Sequence, residues 1–222
     1  NERFIRDCEK WIGTKVIRVQ NKKYSDQFDI IKKRRYINGP AGALCTAELK
    51  KNVRYAVEKE VDFGNQIFGF EFVKKEINRA IRFSQQHPNT NPLYPLIDRK
   101  ITKQQCAELL LRNGIKLPTM YELGFHNNNC IMCVKVGKGY ANKVREHFPS
   151  YFDRMSELEQ ELGRSCIKGT FLKDLKPNEG KHEPPIVPDC GTFCEIEFAD
   201  IIDPETERVL NGYTTMKQLK LF

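Results

Sequence analysis

The sequence contains no uninterrupted apolar run approaching the ~20 residues needed to cross a bilayer, which excludes an integral membrane protein built on transmembrane helices. Its first residues, NERFIRDCEKW, include neither the apolar core of a signal peptide nor an initiating Met, so we expect the sequence to begin inside a longer gene product. It also lacks internal repeats and the motifs GxxxxGK(S/T), HExxH and GxSxG. The commonest phosphate-loop, zinc-protease and hydrolase signatures are therefore absent.

Acidic residues are the minority among the charged ones. The 222 residues include 37 Lys and Arg but only 29 Asp and Glu, for a net charge of +8. This balance favours anionic partners such as phosphates, nucleotides or nucleic acid, although a basic surface without a specific partner has the same balance. Apolar residues make up 40% and aromatic residues 10% of the chain, enough for a sizeable core. That composition excludes a disordered chain, a collagen and a small disulfide scaffold.

Cysteine is more frequent than a structural role requires, with eight in the chain. Because the sequence has no secretory features, this usage indicates metal or redox chemistry rather than structural disulfides, and it predicts a cytoplasmic protein.

Helical and strand patterns alternate along the chain without hairpin signals. They predict an α/β fold, a parallel sheet with helices on both faces. Strands are expected at residues 15–20 and 66–70, and residues 190–202 are expected to form a turn that enters a strand. Helices are expected at residues 4–12 (ending at Gly13), after an N-cap at Thr46, at 73–83, after a capping box of Thr102 with Gln105, and at 142–147 and 151–162.

The character of the sequence changes after Gly124, where a polar, Gly-containing and Cys-bearing segment begins. We therefore expect two parts: residues 1–125 as an α/β domain of nucleotide-binding type, and residues 126–222 as an irregular, Cys-containing region packed on it.

Cys130 and Cys133 form the strongest local signal, a CxxC motif in a loop. Two thiolates at this spacing can hold one soft metal ion or a cluster, or can exchange electrons as a redox pair; two unligated loop cysteines are the alternative. Cys190 and Cys194 form a second pair, but the gap between the pairs exceeds the ~15–20 residues of compact zinc ribbons. A four-cysteine site assembled by the tertiary structure stays open, as does a purely structural role for the second pair.

Cys45 precedes a predicted helix, with Lys50 and Lys51 one turn later. A helix N-terminus and nearby cations favour a thiolate, which suits a cluster ligand or a nucleophile; a small residue at a tight turn is the alternative. By contrast, Cys8 and Cys106 lie on apolar stripes and are expected in the core, and Cys166 is expected to be structural.

Charged side chains follow the predicted strand that contains Gly69. Ligands of parallel α/β sheets bind beyond the carboxyl ends of the strands, so Arg79, with Glu76 and Arg82 beside it, could bind a phosphate or sulfate group. Charged side chains of this kind more often form exposed ion pairs than ligand sites. The basic stretch KKRRY (residues 32–36) is similarly either a nucleic-acid patch or a solvated face. His126 is a candidate ligand, or a hydrogen-bond donor to a ligand, of the CxxC site.

The order of these pieces resembles the phosphoadenosine phosphosulfate (PAPS) reductase family of the PP-loop ATP pyrophosphatase (adenine nucleotide alpha-hydrolase) superfamily. The matching features span most of residues 1–200 and are CTAELK from Cys45, Gly69 with ExxRA from Glu76, PLYPLID, ITKQQC, LGFHNNNCIMCVK and GYANKVREHFP. The stretch from Pro92 to Met155 resembles the variant of the family common in phage and bacterial genomes.

The resemblance implies a doubly wound parallel sheet that binds an adenine nucleotide (ATP, PAPS or APS). In adenylylsulfate-reducing members, a double cysteine and a later CxxC hold a 4Fe–4S cluster. Three positions of this chain match those ligands, so the resemblance implies Cys45, Cys130 and Cys133 as cluster ligands. Cys194 or Cys190 would complete the set. The family's mobile Glu-Cys-Gly motif is similar to Asp189-Cys190-Gly191, which makes Cys190 either a nucleophile or a ligand. By analogy, Lys50 and Arg79 would hold the anionic group.

The family's phosphate-binding SGGxDS loop is absent from the sequence. The resemblance therefore implies a nucleotide-binding domain that is incomplete at its N-terminus. We do not expect the isolated 222 residues to catalyse the reaction. Three hypotheses follow: nucleotide-dependent sulfur transfer or sulfonucleotide reduction, with a thioredoxin-like reductant as partner; ATP-dependent thiolation of nucleic acid on the same fold; and a zinc-stabilised binding module without catalysis.

Overall fold

The structure is a computed structural model, and it describes residues 1–38, 42–188 and 203–219. Helices make up 56% of it, and its sheet is a single parallel pair of strands. The α/β class thus holds only in this coarse form. Contacts between Cα atoms divide the chain into two compact units, one of residues 1–61 and 117–185 and the other of residues 62–116 and 186–222. A domain boundary at residue 125 stays a prediction.

The helices of the first unit are α1 (Glu2–Ile12), α2 (Gln27–Arg34), α3 (Leu44–Thr46), α4 (Asn52–Glu60), α8 (Thr119–Glu122), α9 (Lys138–His147) and α10 (Pro149–Leu162). A π-helical turn (Ala47–Lys51) joins α3 to α4, and a 3₁₀ turn covers Leu172–Asp174. The second unit contains β1 (Gln66–Ile67), α5 (Lys74–Gln86), β2 (Pro92–Leu93), α6 (Pro95–Asp98), α7 (Lys103–Arg112) and α11 (Pro204–Leu219), with a 3₁₀ turn at Pro88–Thr90.

The first unit is built around one apolar core. Helix α10 packs against α9 and α2, and the CxxC loop adds Met132 and Val134 to the same core. Its other buried members are Phe28, Ile31, Ile37, Ala43, Met120, Phe125, Tyr140, Ala141, Val144, Phe152, Met155, Leu158, Cys166, Leu172 and Leu175.

The second unit has a smaller, largely aromatic core. Phe70 stacks on Tyr94 with ring centroids 5.5 Å apart, and Tyr213 brings α11 onto the same cluster. The phenol of Tyr213 donates a hydrogen bond to Oδ1 of Asp98 (2.8 Å). The two strands pair in parallel with Gln66 opposite Pro92.

Several predicted elements are confirmed. Helix α1 ends at Gly13, whose φ of 73° needs the conformational freedom of glycine. The capping box of Thr102 and Gln105 opens α7 with both reciprocal hydrogen bonds present. The helices expected near residues 73, 142 and 151 are α5, α9 and α10.

Other expectations were wrong. Residues 15–20 form no strand, and the side chains of Val16, Ile17 and Val19 are exposed, because no other strand of the described residues pairs with this segment. Thr46 is not an N-cap: it has helical dihedral angles, and the helical run begins after Ala43. The expected strand 66–70 is only two residues long, and β2 and α6 lie in the stretch after His87, where no element was predicted. The turn and strand expected at 190–202 lie outside the described residues.

Candidate thiol site

Cys45 lies where irregular chain turns into helix. Ala43 is extended and buried in the core, and its carbonyl accepts the first helical hydrogen bond, from the amide of Thr46 (3.0 Å). The widened π turn follows immediately, a feature that occurs often at functional sites. Cys45 is therefore partly buried and packs against the core of its unit at the start of a helical run.

The CxxC loop is held by its two apolar side chains rather than by regular structure. Met132 adopts a left-handed φ of 56°, and the side chains of Met132 and Val134 are essentially fully buried. This anchoring leaves Cys130 exposed and Cys133 partly buried.

Two amide side chains fasten the same loop to the rest of the unit. Nε2 of Gln27, on α2, donates to the carbonyl of Ile131 (2.9 Å). Nδ2 of Asn38 donates to the carbonyls of Val134 (2.5 Å) and Cys166 (2.9 Å). Because these donors come from distant parts of the chain, the loop's position depends on the tertiary structure.

The two loop cysteines act on the Cys45 thiol through their charges. Burial is the largest cause that raises the pKa of the Cys45 thiol above its ordinary value, and the charges of Cys133 and Cys130 raise it further, while Lys135 opposes them. The two cysteines of the loop are thus close enough to Cys45 to interact with it electrostatically, although some 85 residues separate them along the chain.

Tyr140, in the first turn of α9, borders the same thiols. Burial, followed by the charge of Cys133, raises its pKa to about 12, while hydrogen bonds with Asn129 act in the opposite direction. Its hydroxyl donates to the carbonyl of Asn127 (3.3 Å). Sequence reasoning missed Tyr140, Asn129 and Lys135, although the Gly-Lys-Gly-Tyr that opens a helix after the CxxC motif was the available signal.

His126 lies beside Tyr140, with the two rings edge to face and their centroids 5.5 Å apart. Its Nε2 is 2.8 Å from Oε2 of Glu183, so this nitrogen already has a partner. The geometry places His126 next to the loop that carries the thiols, with its ring oriented by Glu183.

The remaining predicted residues are distributed over both units. Lys50 is exposed on the π turn of the first unit. Glu76, Arg79 and Arg82 lie on α5 of the second unit, where Arg79 pairs with Glu76 (3.1 Å) and covers the ring of Phe70 (4.5 Å). Cys190 and Cys194 lie outside the described residues.

Of the other described cysteines, only Cys166 lies in a core; Cys8 and Cys106, which were expected there, are partly buried on α1 and α7 and belong to neither apolar cluster. Burial raises the pKa of Cys8, Cys106 and Cys166, most strongly that of Cys166, which also contacts Glu159. Among the described residues, no three His, Cys, Asp or Glu side chains are arranged to hold a metal ion. Throughout the same residues, every helix is too short or too polar to span a lipid bilayer.

We compared the chain with protein-family models, with curated proteins and with solved structures, and none matches it.

Proposed function

We propose that this chain is the thiol-bearing part of a PAPS-reductase-like protein that transfers or reduces nucleotide-activated sulfur and binds an iron–sulfur cluster. The observation that supports this function best is the neighbourhood of Cys45, Cys130 and Cys133. Three thiols drawn from separate parts of the chain are a soft donor set, which suits iron–sulfur clusters and zinc.

In this proposal Cys45, Cys130 and Cys133, which are not arranged around a common metal ion in the described residues, move together when the cluster binds, and Cys194 or Cys190 supplies the fourth thiolate. The bound cluster contributes redox and electrostatic chemistry. Polar neighbours orient the ligands: Gln27 and Asn38 hold the loop, and Tyr140, which is hydrogen-bonded with Asn129, lies near its sulfurs. The parallel pair of β1 and β2 is, in the same proposal, part of a larger sheet with helices on both faces.

The anionic substrate is assigned to cations and to the remaining cysteine. Lys50 and Arg79 neutralise negative charge on the activated group, with Glu76 and Arg82 beside Arg79 at the adenine nucleotide. The Cys190 thiolate attacks the sulfur of the sulfonucleotide and the S–O bond to the nucleotide breaks, so that the nucleotide phosphate leaves and Cys190 carries the sulfonate. A thioredoxin-like dithiol then displaces sulfite from Cys190, regenerates the thiol and is itself oxidised to a disulfide. We place this chemistry in the cytoplasm, as part of a complete protein.

The test is metal analysis after anaerobic purification. We expect iron with acid-labile sulfide, and we expect Cys45→Ser to lose most of both while Cys106→Ser, a cysteine on α7 of the other unit, retains them. One equivalent of zinc in place of iron would instead support the zinc-stabilised module, and wild-type protein with no metal would refute the cluster.

The catalytic assignment has a separate test on the full-length gene product. Cys190→Ser should abolish thioredoxin-dependent sulfite release from PAPS while the iron content stays near the wild-type value, because in this assignment Cys194 is the fourth ligand and the variant removes none of the four. Sulfite release at the wild-type rate would remove Cys190 from the reaction.

A further inference from the structure

The first unit has an open groove of about 890 Å³. None of the residues that line it has a role in the proposed sulfur chemistry. We call it the basic groove. It is formed by Val19–Ser25, by Asp29 and Lys33 of α2, and by Leu49 of the π turn. Its volume exceeds what a single small ion requires and suits a segment of a larger ligand.

The chain around the groove carries an unusual share of the positive charge. Residues 22–35 contain six Lys and Arg but only two carboxylates, which gives +4, half of the net charge of the whole protein. Lys22 and Lys23 line the groove from the loop, and Lys33 lines it from the last turn of α2, which also carries Lys32 and Arg34.

Only part of this charge is neutralised by the protein itself. Lys33 pairs with Asp29 (3.0 Å), and Arg34 and Arg35 pair with acidic side chains of other elements. Within the described residues, no carboxylate lies within ion-pair distance of Lys22, Lys23 or Lys32, and all three are exposed. These lysines are therefore available to an anion from outside the chain.

The groove is held in place by internal contacts. Oδ1 of Asn21 accepts from the amides of Lys23 (2.7 Å) and Tyr24 (3.1 Å), and its Nδ2 donates to the carbonyl of Glu48 (2.9 Å). Tyr24 is only 3% exposed and supports the ammonium groups of Lys23 and Lys33 over its ring. A preorganised set of cations binds an anion at lower entropic cost than flexible side chains do.

The positive charges around Tyr24 lower the pKa of its phenol, so they stabilise a negative charge at that position. A hydrogen bond with Arg34 is the largest cause that lowers the pKa of the Tyr24 phenol, and the charges of Lys23 and Arg34 lower it further. The local potential thus stabilises negative charge at the floor of the groove.

The arrangement favours a chain of phosphates over a single nucleotide. A row of cations on two elements can contact several phosphates in succession, whereas base recognition by stacking needs an accessible aromatic face, which the buried Tyr24 does not offer. We propose that the basic groove binds the phosphodiester backbone of nucleic acid without reading its sequence, through Lys22 and Lys23, which line it, and through Lys32, the neighbour of the lining residue Lys33 on α2.

The experiment measures fluorescence anisotropy of short labelled oligonucleotides, as single-stranded DNA and as RNA, with metal-free 222-residue protein over a range of salt concentrations. We expect binding that weakens steeply with salt. The combined variant Lys22→Gln, Lys23→Gln, Lys32→Gln should bind about tenfold or more weakly at low salt, with a salt slope smaller by roughly 2. The tighter of the two probes identifies the nucleic acid.

Two matched variants control for charge and folding. Lys59→Gln, Arg164→Gln, Lys168→Gln removes the same charge from exposed positions elsewhere and should bind within about twofold of wild type. Lys22→Arg, Lys23→Arg, Lys32→Arg keeps the groove basic and should restore binding. Equal losses in the two Gln variants, no binding by wild type at low salt, or full competition by ATP at the same phosphate concentration would each overturn the proposal. Because metal-free protein is used, the outcome does not depend on the thiol site.

Discussion

Glu159 is the most deeply buried carboxylate that the structure describes, with no exposed surface. Its two oxygens accept the backbone amides of Cys166 and Leu172, each at 2.6 Å, and so join α10 to the irregular chain that follows it. A buried carboxylate that accepts such amide hydrogen bonds replaces the water that the amides lost on folding.

We expect Glu159→Ala to destabilise the protein by about 2–5 kcal/mol, because two buried amides lose their only acceptor shown here. Glu159→Gln keeps one carbonyl acceptor and should lose less. Urea denaturation measures both against Glu157→Ala, an exposed carboxylate two residues earlier on the same helix. Equal stability of Glu159→Ala and Glu157→Ala would contradict the role given to Glu159.

The Cys45 thiol has a pH dependence that follows from its surroundings. Its pKa lies above the ordinary value of 9.0, chiefly through burial and next through Cys133 and Cys130, so the neutral thiol persists to higher pH in the folded state. Only the thiolate is alkylated at a useful rate. In metal-free protein, the rate of Cys45 alkylation by iodoacetamide should keep rising beyond pH 9.

Mass spectrometry of peptides quenched at each pH gives this profile, and the urea-unfolded chain supplies the reference. In the unfolded chain the profile should shift to lower pH, because burial and the neighbouring thiols are gone. If the alkylation rate of the folded protein reached its plateau at the same pH as that of the unfolded chain, or at a lower pH, Cys45 would not be surrounded as described.

At the scale of elements, α9 meets the loop that follows Lys176 almost backbone to backbone. A Cβ atom added at Gly139 would overlap the carbonyl oxygen of Lys181, and Asn142 donates to the carbonyls of Lys176 and Glu179. The close approach needs glycine at position 139.

Gly139→Ala should therefore cost about 1–3 kcal/mol, because the loop must move away from the helix and release its hydrogen bonds with Asn142. Gly137→Ala is the matched control, since nothing lies within 4 Å of a Cβ there. Thermal unfolding of the two variants measures the difference, and similar melting temperatures would show that the approach is not close.

Elements that local chemistry determines were predictable, whereas elements that depend on a partner were not. The capping box at Thr102 lies within four residues, so α7 could be placed from sequence. Residues 15–20 alternate as a strand does, but a strand also needs a neighbour to accept its hydrogen bonds. Helix α11 was missed, although Pro204 at its start and the spacing of Val209, Tyr213 and Met216 were signals for it.

At the scale of the whole molecule, the candidate site was predictable in composition but not in arrangement. The CxxC spacing identified Cys130 and Cys133, the predicted helix start and its nearby lysines identified Cys45, and the resemblance grouped the three. Their neighbourhood depends on Met132, Val134, Gln27 and Asn38, whose core packing and long-range hydrogen bonds no local pattern encodes. Tyr140 and Lys135 also lie near these thiols because of the tertiary structure, so no local pattern predicted them.

Thiol footprinting of anaerobically purified protein tests most directly whether Cys45, Cys130 and Cys133 share one inorganic group. We predict that iodoacetamide leaves all three unmodified, the exposed Cys130 included, and that a chelator with an oxidant makes all three reactive together while Cys8 and Cys106 do not change. A Cys45 that reacts equally before and after this treatment, while Cys130 and Cys133 become reactive, would contradict the shared site.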